Sequence, residues 1–438
     1  MPTIGLYTAT ENELGALQRA AGEVDADLVV RSESDLDDPE RVDAFCTELP
    51  DCDAVVLWLH GGKDSMPGYD RAVERCREAG VPLVVRATGD AFAVEDTTVP
   101  SAVRETVGEY LERGGSANLA NCLRYLVDRL TAADRAYDDP VELPTEGVYH
   151  PDHPGASYEE LRATLSEDRP TVAVWFYESH WTHENTRYVD SLVRAIEAQG
   201  ADALPVFCNP VTDSDEQQDA EWVVDEWLLE DGEPVVDAVC SSFMFSLSMS
   251  ERGRDASDEG GDAEEVFLRR LGVPVLQTVT TMRSRSRYDA ADTGVMGFEL
   301  ALSVALPEFD GNVITHPISG KERTDDAAGI GSAPKQHFPI EDRVDHAARL
   351  AVNWARLRHV PNNEKRVAVF KKPLVGDALG VPLLVRVGRG VTEDRERVRT
   401  VRLDGADLRV DVAGVLVGPV GLVEPDRDRR PVGVERRP

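Results

Sequence analysis

Residues 176–192 read FYESHWTHENTRYVDSL, with His180 and His183 three apart, Glu178 before them and Glu184 after. Imidazole and carboxylate groups ligate zinc and related divalent metals, and near neutral pH they are also the usual general acids and bases. The two histidines could therefore share a metal, or exchange protons with Glu178 as a neighbouring base. The spacing differs from the zinc-protease pattern, which sets two histidines at i and i+4 with a glutamate directly after the first. A structural role competes with both. The apolar run ends near Tyr177 and a helical pattern starts near Asn185, so both histidines fall in a strand-to-helix turn, with Thr182 or Asn185 as N-cap.

LHGGKDSMPG, residues 59–68, follows another apolar run. Gly61 and Gly62 would let the backbone approach a ligand, with His60 at the strand end as an alternative metal ligand. A tight structural turn accounts for the same residues equally well. VYHPDHPG, residues 148–155, offers His150, Asp152 and His153, but in a proline-rich stretch of the kind that is usually exposed. His316, His337, His346 and His359 have weaker claims. The phosphate-loop pattern G-x-x-x-x-G-K-[ST] fails at both HGGKDS and SGKERT, so no nucleotide-hydrolysing site is evident. No G-x-S-x-G elbow supports nucleophilic catalysis.

These turns have to be positioned by strands. TIGLYTA, DLVVRSE, DAVVLWLH and PLVVRAT are short branched apolar runs separated by amphipathic stretches, a β-α-β-α pattern that predicts a parallel sheet covered on both faces. Its ligand crevice would lie beyond the carboxyl ends of the strands. A second alternation runs through TVAVWFYES, DALPVFCN, VVDAVCSSF, VPVLQTV and KRVAVF. Between its first two strands, Tyr188, Leu192, Ala195 and Ile196 follow helical spacing. The expected class is α/β, with two doubly wound parallel-sheet domains in tandem and an anomalous Val/Gly/Arg-rich tail. The boundaries are 1–140 for the first domain, 141–168 for a linker rich in Pro, Gly and charge, 169–370 for the second domain and 371–438 for the tail. SERGRDASDEGGDAEE is expected to be an acidic loop within the second domain.

Of 438 residues, 81 are acidic and 47 basic, a formal charge of -34 that repels nucleic acid and anionic membrane and excludes both as expected partners. The aspartates are spread over every segment and lysine is scarce beside arginine. That is the pattern of a halophilic-type surface, where screening shortens the Debye length to about 3 Å and self-repulsion costs little; an ordinary acidic protein is the alternative. No apolar run approaches about 18 residues and the start MPTIGLYTATENELG has no signal-peptide features, so the expected location is cytoplasmic. Cys46, Cys52, Cys76, Cys122, Cys208 and Cys240 show no C-x-x-C pairing and are expected to be small buried residues.

GVYHPDHPG, TVAVWFYESHWTHENTRYVDSLVRAIEAQGADALPVFCN, LGVPVLQTV, ELALSVALPEFDGNVITHPISGKE and DRVDHAARLAVNWARLRHVPNNEKRVAVF, in this order, resemble the large subunit of aerobic-type cobaltochelatase and its relative, the large subunit of magnesium chelatase. The resemblance runs to about Phe370. It implies ATP-dependent insertion of Co2+, the metal substrate, into the corrinoid hydrogenobyrinic acid a,c-diamide on the route to cobalamin. The large subunit would bind the tetrapyrrole, while partner subunits of the AAA+ ATPase class use ATP and Mg2+, in keeping with the missing phosphate loop. On this reading His180 and His183 are the first choices as catalytic residues and metal ligands, with Glu178 as base and His60 as a further ligand.

The chain departs from the family after KRVAVF, where a segment like NYPP and a glycine-rich turn are expected but KKPLVGDALG stands. From Lys371 to Pro438 there is no Phe, Tyr, Trp, Ile, Met, Cys, His, Asn, Gln or Ser, and 14 basic residues face 11 acidic ones. GC-rich codons read in a shifted frame produce such a composition. A genuine β-rich appendix, turning at Asp404-Gly405, is the alternative. Family members are much longer, so the expectation is an amino-terminal, truncated portion, inactive alone. Three other readings stay open: a two-domain module binding a small ligand by hinge closure, a magnesium chelatase-type large subunit, and a zinc hydrolase built on His180 and His183.

Overall fold

A computed structural model describes residues 1–9, 11–87, 91–131, 134–210, 219–247 and 267–365, and the backbone strands at 367–371, 383–387, 399–403 and 406–410. The first four apolar runs form β1 (Thr3–Thr8), β2 (Asp27–Ser32), β3 (Ala54–Trp58) and β4 (Leu83–Arg86), all parallel, in the order β2-β1-β3-β4. Alternate residues along the strands feed two separate cores. Ile4, Leu6, Val56 and Val84 pack under α1 (Glu13–Glu23), α5 (Ser101–Arg113) and α6 (Gly115–Leu130). Tyr7, Val55, Leu57, Leu83 and Val85 pack under α2 (Pro39–Glu48), α3 (Tyr69–Ala79) and α4 (Ala91–Asp96). The period of two thus sets which face each side chain covers, as a doubly wound sheet requires. At the start of α2, the Asp38 carboxylate caps the helix by accepting from the Glu40 and Arg41 amides at 2.9 and 3.0 Å, with Pro39 at the first helical position.

A seven-stranded sheet follows, in the order β13-β12-β11-β10-β6-β7-β5. Its parallel centre is β6 (Thr171–Tyr177), β7 (Asp202–Cys208), β10 (Ala238–Ser241), β11 (Val275–Thr280) and β12 (Val313–Arg323). The antiparallel edges are β5 (Glu146–Val148) and β13 (Lys335–Pro339); β8 (Leu229–Glu230) and β9 (Glu233–Pro234) form a separate small hairpin. After β5 comes α7 (Tyr158–Arg162), and after β6 come α8 (Glu178–Thr182) and α9 (Arg187–Ala198). On α9, Tyr188, Leu192 and Ile196 are buried, as their spacing predicts.

The stretch expected as a linker, 141–168, thus carries an edge strand and a helix of the second sheet. The expected division at that stretch is also bridged by packing: Met1–Val352, which holds both sheets, is one compact unit. The connection between β12 and β13 reaches back to the exposed edge of β2, where the Val30 amide donates to the Ile330 carbonyl at 2.7 Å and Ile330 enters the first core at 3% exposure. Asp35 accepts from the Ser32 amide at 2.9 Å and also from Arg323 and Ser332. Lys335 pairs with Glu11 at 2.8 Å, and buried Lys321 donates to Asn12 at 3.1 Å. Sequence reasoning treated 313–323 as a stretch of weak motifs, because its Pro, His and Gly interrupt the apolar pattern of a strand.

In the second unit, Asn353–Pro438, β14 (Val367–Lys371) pairs antiparallel with β15 (Leu383–Val387), and β16 (Arg399–Leu403) with β17 (Ala406–Val410). KRVAVF is therefore half of a hairpin and not a strand of the seven-stranded sheet. The acidic stretch SERGRDASDEGGDAEE lies outside the described residues. All six cysteines are buried and free. Among the described residues, no helix is long and apolar enough to cross a membrane.

Candidate functional site

In the order β2-β1-β3-β4 the chain winds outward in both directions from β1 and β3, and a crevice opens beyond their carboxyl ends. A cleft of about 520 Å³ lies there. One wall comes from the ends of β1, β3 and β4, supplying Ala9, Trp58, Leu59, His60, Arg86 and Ala87, together with Glu13 at the start of α1 and Leu111 to Gly114 at the end of α5. The turn after β6 supplies the other wall: Glu178, Thr182 and His183.

Glu178 is the first residue of α8, and burial pushes its carboxyl up to about 7. The Thr182 hydroxyl, one turn on, donates to this carboxyl. His183 ends the same short helix, with Nδ1 2.7 Å from the Ser179 carbonyl. A carbonyl only accepts, so Nδ1 carries a proton, and in the neutral imidazole the lone pair falls on Nε2. That Nε2 lies 3.9 Å from Glu13 Oε1.

His180 does not line the cleft. It sits within α8, where the sequence had suggested an open turn, and its Nδ1 is 2.6 Å from the Tyr188 hydroxyl. Tyr188 in turn reaches Ser242 at 3.2 Å, and the His180 ring stands 5.4 Å from that of His337. Burial, then Lys321 and His183, hold His180 below the usual imidazole range; burial, then His180 and Lys321, do the same for His337. The helix after the turn starts at Arg187 with no side-chain cap, and the expected cap residue Asn185 instead accepts the His337 amide at 2.8 Å. The two histidines expected as a ligand pair therefore serve different environments.

His60 is exposed at the cleft wall. Gly61 has φ +106°, which favours glycine, whereas Gly62 has φ -78°; a Cβ on either would meet nothing within 4 Å, and neither lines the cleft. His150, expected in an exposed connector, is 5% exposed, with Nε2 3.2 Å from Glu197. His316 Nε2 bonds the Arg343 carbonyl at 2.9 Å. Among the described residues, no group of three or more His, Cys, Asp or Glu side chains is placed to hold a metal ion. The pair His180 and His183 thus gains no third ligand from them.

Glu13, Arg86, Glu112 and Arg113 escaped sequence reasoning. Glu13 and Arg86 lie at or just past the ends of β1 and β4, where the rule that singled out His60 would have found them. The cleft combines apolar surface from Trp58, Leu59 and Leu111 with two guanidinium groups, of which Arg86 pairs with Glu112 at 3.1 Å, the further carboxyls of Glu13 and Glu178, the latter pushed up to about 7, and the imidazoles of His60 and His183. Such an arrangement can seat an apolar ring bearing acidic substituents and accept protons from it.

Residues 108–380 match the family model CobN/Magnesium Chelatase. The aerobic cobaltochelatase subunit CobN of Pseudomonas aeruginosa is 30% identical over 337 residues, covering 75% of this chain and 25% of the relative. Its counterpart from Sinorhizobium sp is 28% identical over 352 residues, covering 76% and 26%. The solved catalytic subunit of cobaltochelatase from Mycobacterium tuberculosis superposes with a TM-score of 0.60 at 26% identity, over 84% of this chain and 28% of that one. The chain spans about a quarter of the length of these curated relatives. With the family model covering more than half of its residues, the chain belongs to the CobN/magnesium chelatase family.

Proposed function

We propose that this chain is the amino-terminal part of the large, tetrapyrrole-binding subunit of an ATP-dependent cobaltochelatase that inserts Co2+ into hydrogenobyrinic acid a,c-diamide in cobalamin biosynthesis. The observation that carries the proposal is Glu178: a carboxyl held near neutrality by burial, in the same cleft as His183. Metal insertion must remove two ring N–H protons, strip water from the cation and deform the macrocycle. A carboxyl titrating near the working pH is suited to the first task, because a base is most effective when its pKa lies close to ambient pH. His183 Nε2 and His60 are the imidazoles that would receive the entering cobalt, which accepts nitrogen donors readily. Arg86 and Arg113 would face the acidic substituents of the ring.

Cobalt is favoured over magnesium because two of the relatives matched over about three quarters of this chain are cobaltochelatase subunits, whereas the magnesium chelatase subunits match about three fifths of it. ATP and Mg2+ would be used by AAA+ partner chains, and deformation of the macrocycle would draw on the remainder of a family-length subunit. Absorbance titration with hydrogenobyrinic acid a,c-diamide, with and without the partner subunits, tests the reading. A saturable spectral shift, largely kept in Glu178→Gln, is the expected result. No shift under either condition would count against it.

A further inference from the structure

Six of the nine large apolar side chains exposed among the described residues fall between 245 and 309: Phe245, Met282, Met296, Phe298, Leu300 and Phe309, from 43% to 77% exposed. Phe245 and Met282 follow β10 and β11, and Met296, Phe298, Leu300 and Phe309 lie in the turn and helical stretch that lead to β12. The Phe245 amide donates to the Leu302 carbonyl at 2.9 Å, and Thr281 donates to Glu299 at 2.9 Å, between Phe298 and Leu300. Asp310, next to Phe309, accepts from Ser246 at 2.6 Å and from the Leu247 amide at 2.7 Å. Polar contacts thus fix the backbone of a ledge whose aromatic side chains face outward.

Phe245 is also held at φ +72°, a left-handed conformation that bulky residues seldom adopt. A strained, outward-facing aromatic beside other exposed aromatics and methionines has the composition of an interface core. On a chain with a formal charge of -34 it is out of keeping with the rest of the surface.

We infer that this ledge is the docking surface for the portion of a family-length large subunit that the chain does not span. The relatives are about three times as long, so a surface covered by their remaining polypeptide would be bare here. The inference rests on family membership and not on which metal or ring is handled.

The test co-expresses the chain with the Pseudomonas aeruginosa subunit from which the matched quarter has been removed, and measures capture of that probe through a tag on the chain. Variants Phe298→Asp and Leu300→Asp are compared with Val94→Asp, an exposed apolar control at 53%. Capture should fall at least tenfold for the ledge variants and stay unchanged for the control, while all three keep the melting temperature of the parent. Superposition on the Mycobacterium tuberculosis subunit supplies a second arm, independent of how the truncated probe folds. Residues of that subunit outside the matched region should cover the positions of Phe245, Phe298 and Leu300. The inference is overturned if those positions are open to solvent there, if capture is indifferent to Phe298→Asp, or if the chain instead forms a dimer that Phe298→Asp dissociates.

Discussion

His183 Nε2 lies 3.9 Å from Glu13 Oε1, the imidazole from the turn after β6 and the carboxylate from the first turn of α1. Two donors at that separation make a way-station for a cation, because a resting zinc site takes four ligands, three of them protein side chains even where water holds the fourth position. Purified chain dialysed against chelator-free buffer should therefore carry metal well below one equivalent, and calorimetry with Co2+ should give only weak binding. One tightly held zinc per chain would sink the chelatase reading of this cleft and restore the hydrolase one.

Burial raises the Glu178 carboxyl from 4.5 to about 7, so between those values the folded state binds a proton that the unfolded state has released. Stability from this group is therefore fully present below about pH 4.5 and is lost as pH rises through 7. At one pKa unit per 1.36 kcal/mol the loss approaches about 3 kcal/mol. Glu178→Gln keeps the neutral shape and the Thr182 contact, and should stabilise the chain by up to that amount at pH 8 with little effect at pH 4.5. Denaturant melts at both values would check it, and equal shifts at the two pH values would contradict it.

In a reconstituted chelatase the same variant should act in the opposite sense. If Glu178 takes a ring proton, its replacement removes a general base, and such losses are typically about 10²- to 10⁴-fold in rate. Wild-type insertion should rise with pH through 7, and the rise should vanish in Glu178→Gln. Corrinoid affinity should fall far less than the rate. A variant that loses affinity alone would make Glu178 a binding residue.

How much of this was legible can be judged strand by strand. Runs such as AVVLW and TVAVWFY announced themselves because strands buried on both faces need uninterrupted apolar residues. The edge strands β5 and β13 did not, nor did β12 beside β13, since their Gly, Pro and His interrupt the apolar pattern. Glu178, His183 and His60 line the cleft because they follow strand ends, where this fold opens its crevice. His180 lies away from the cleft for a reason spacing cannot reveal: three residues on a short helix turn one imidazole to the cleft and the other to Tyr188. The contacts across to β2 were invisible, because Asp35 and Ser332 lie 297 positions apart.

Asp35 is 6% exposed, and although burial alone would raise its pKa, hydrogen bonds from Ser332, Ser32 and Arg323 hold it below the usual carboxylate range. Its stabilising contribution is present above the unfolded value near 3.9 and is lost as pH falls through the lower folded value. Asp35→Ala leaves the buried Ser32 and Ser332 donors without their acceptor, at a cost of about 1 to 3 kcal/mol. Urea unfolding of the parent should be a single transition across both sheets. In the variant, fluorescence of Trp58 in the first sheet and Trp175 in the second should separate into two midpoints. Retained coincidence would show that the β12–β13 connection is not what couples them.

Tyr188 is fully buried on α9, and its hydroxyl is shared between His180 Nδ1 at 2.6 Å and Ser242 at 3.2 Å. Burial raises its pKa, so the phenol stays neutral over the working range. The contact ties α8 to α9 from behind the cleft, and α8 is what presents Glu178 and His183. Tyr188→Phe fills the same space but strands the imidazole, at a cost of about 1 to 3 kcal/mol in stability. If the tie also fixes α8, metal insertion should drop severalfold at temperatures where the variant is still fully folded, with its dependence on corrinoid concentration nearly unchanged. A variant with parental turnover and only a lower melting temperature would confine Tyr188 to the core.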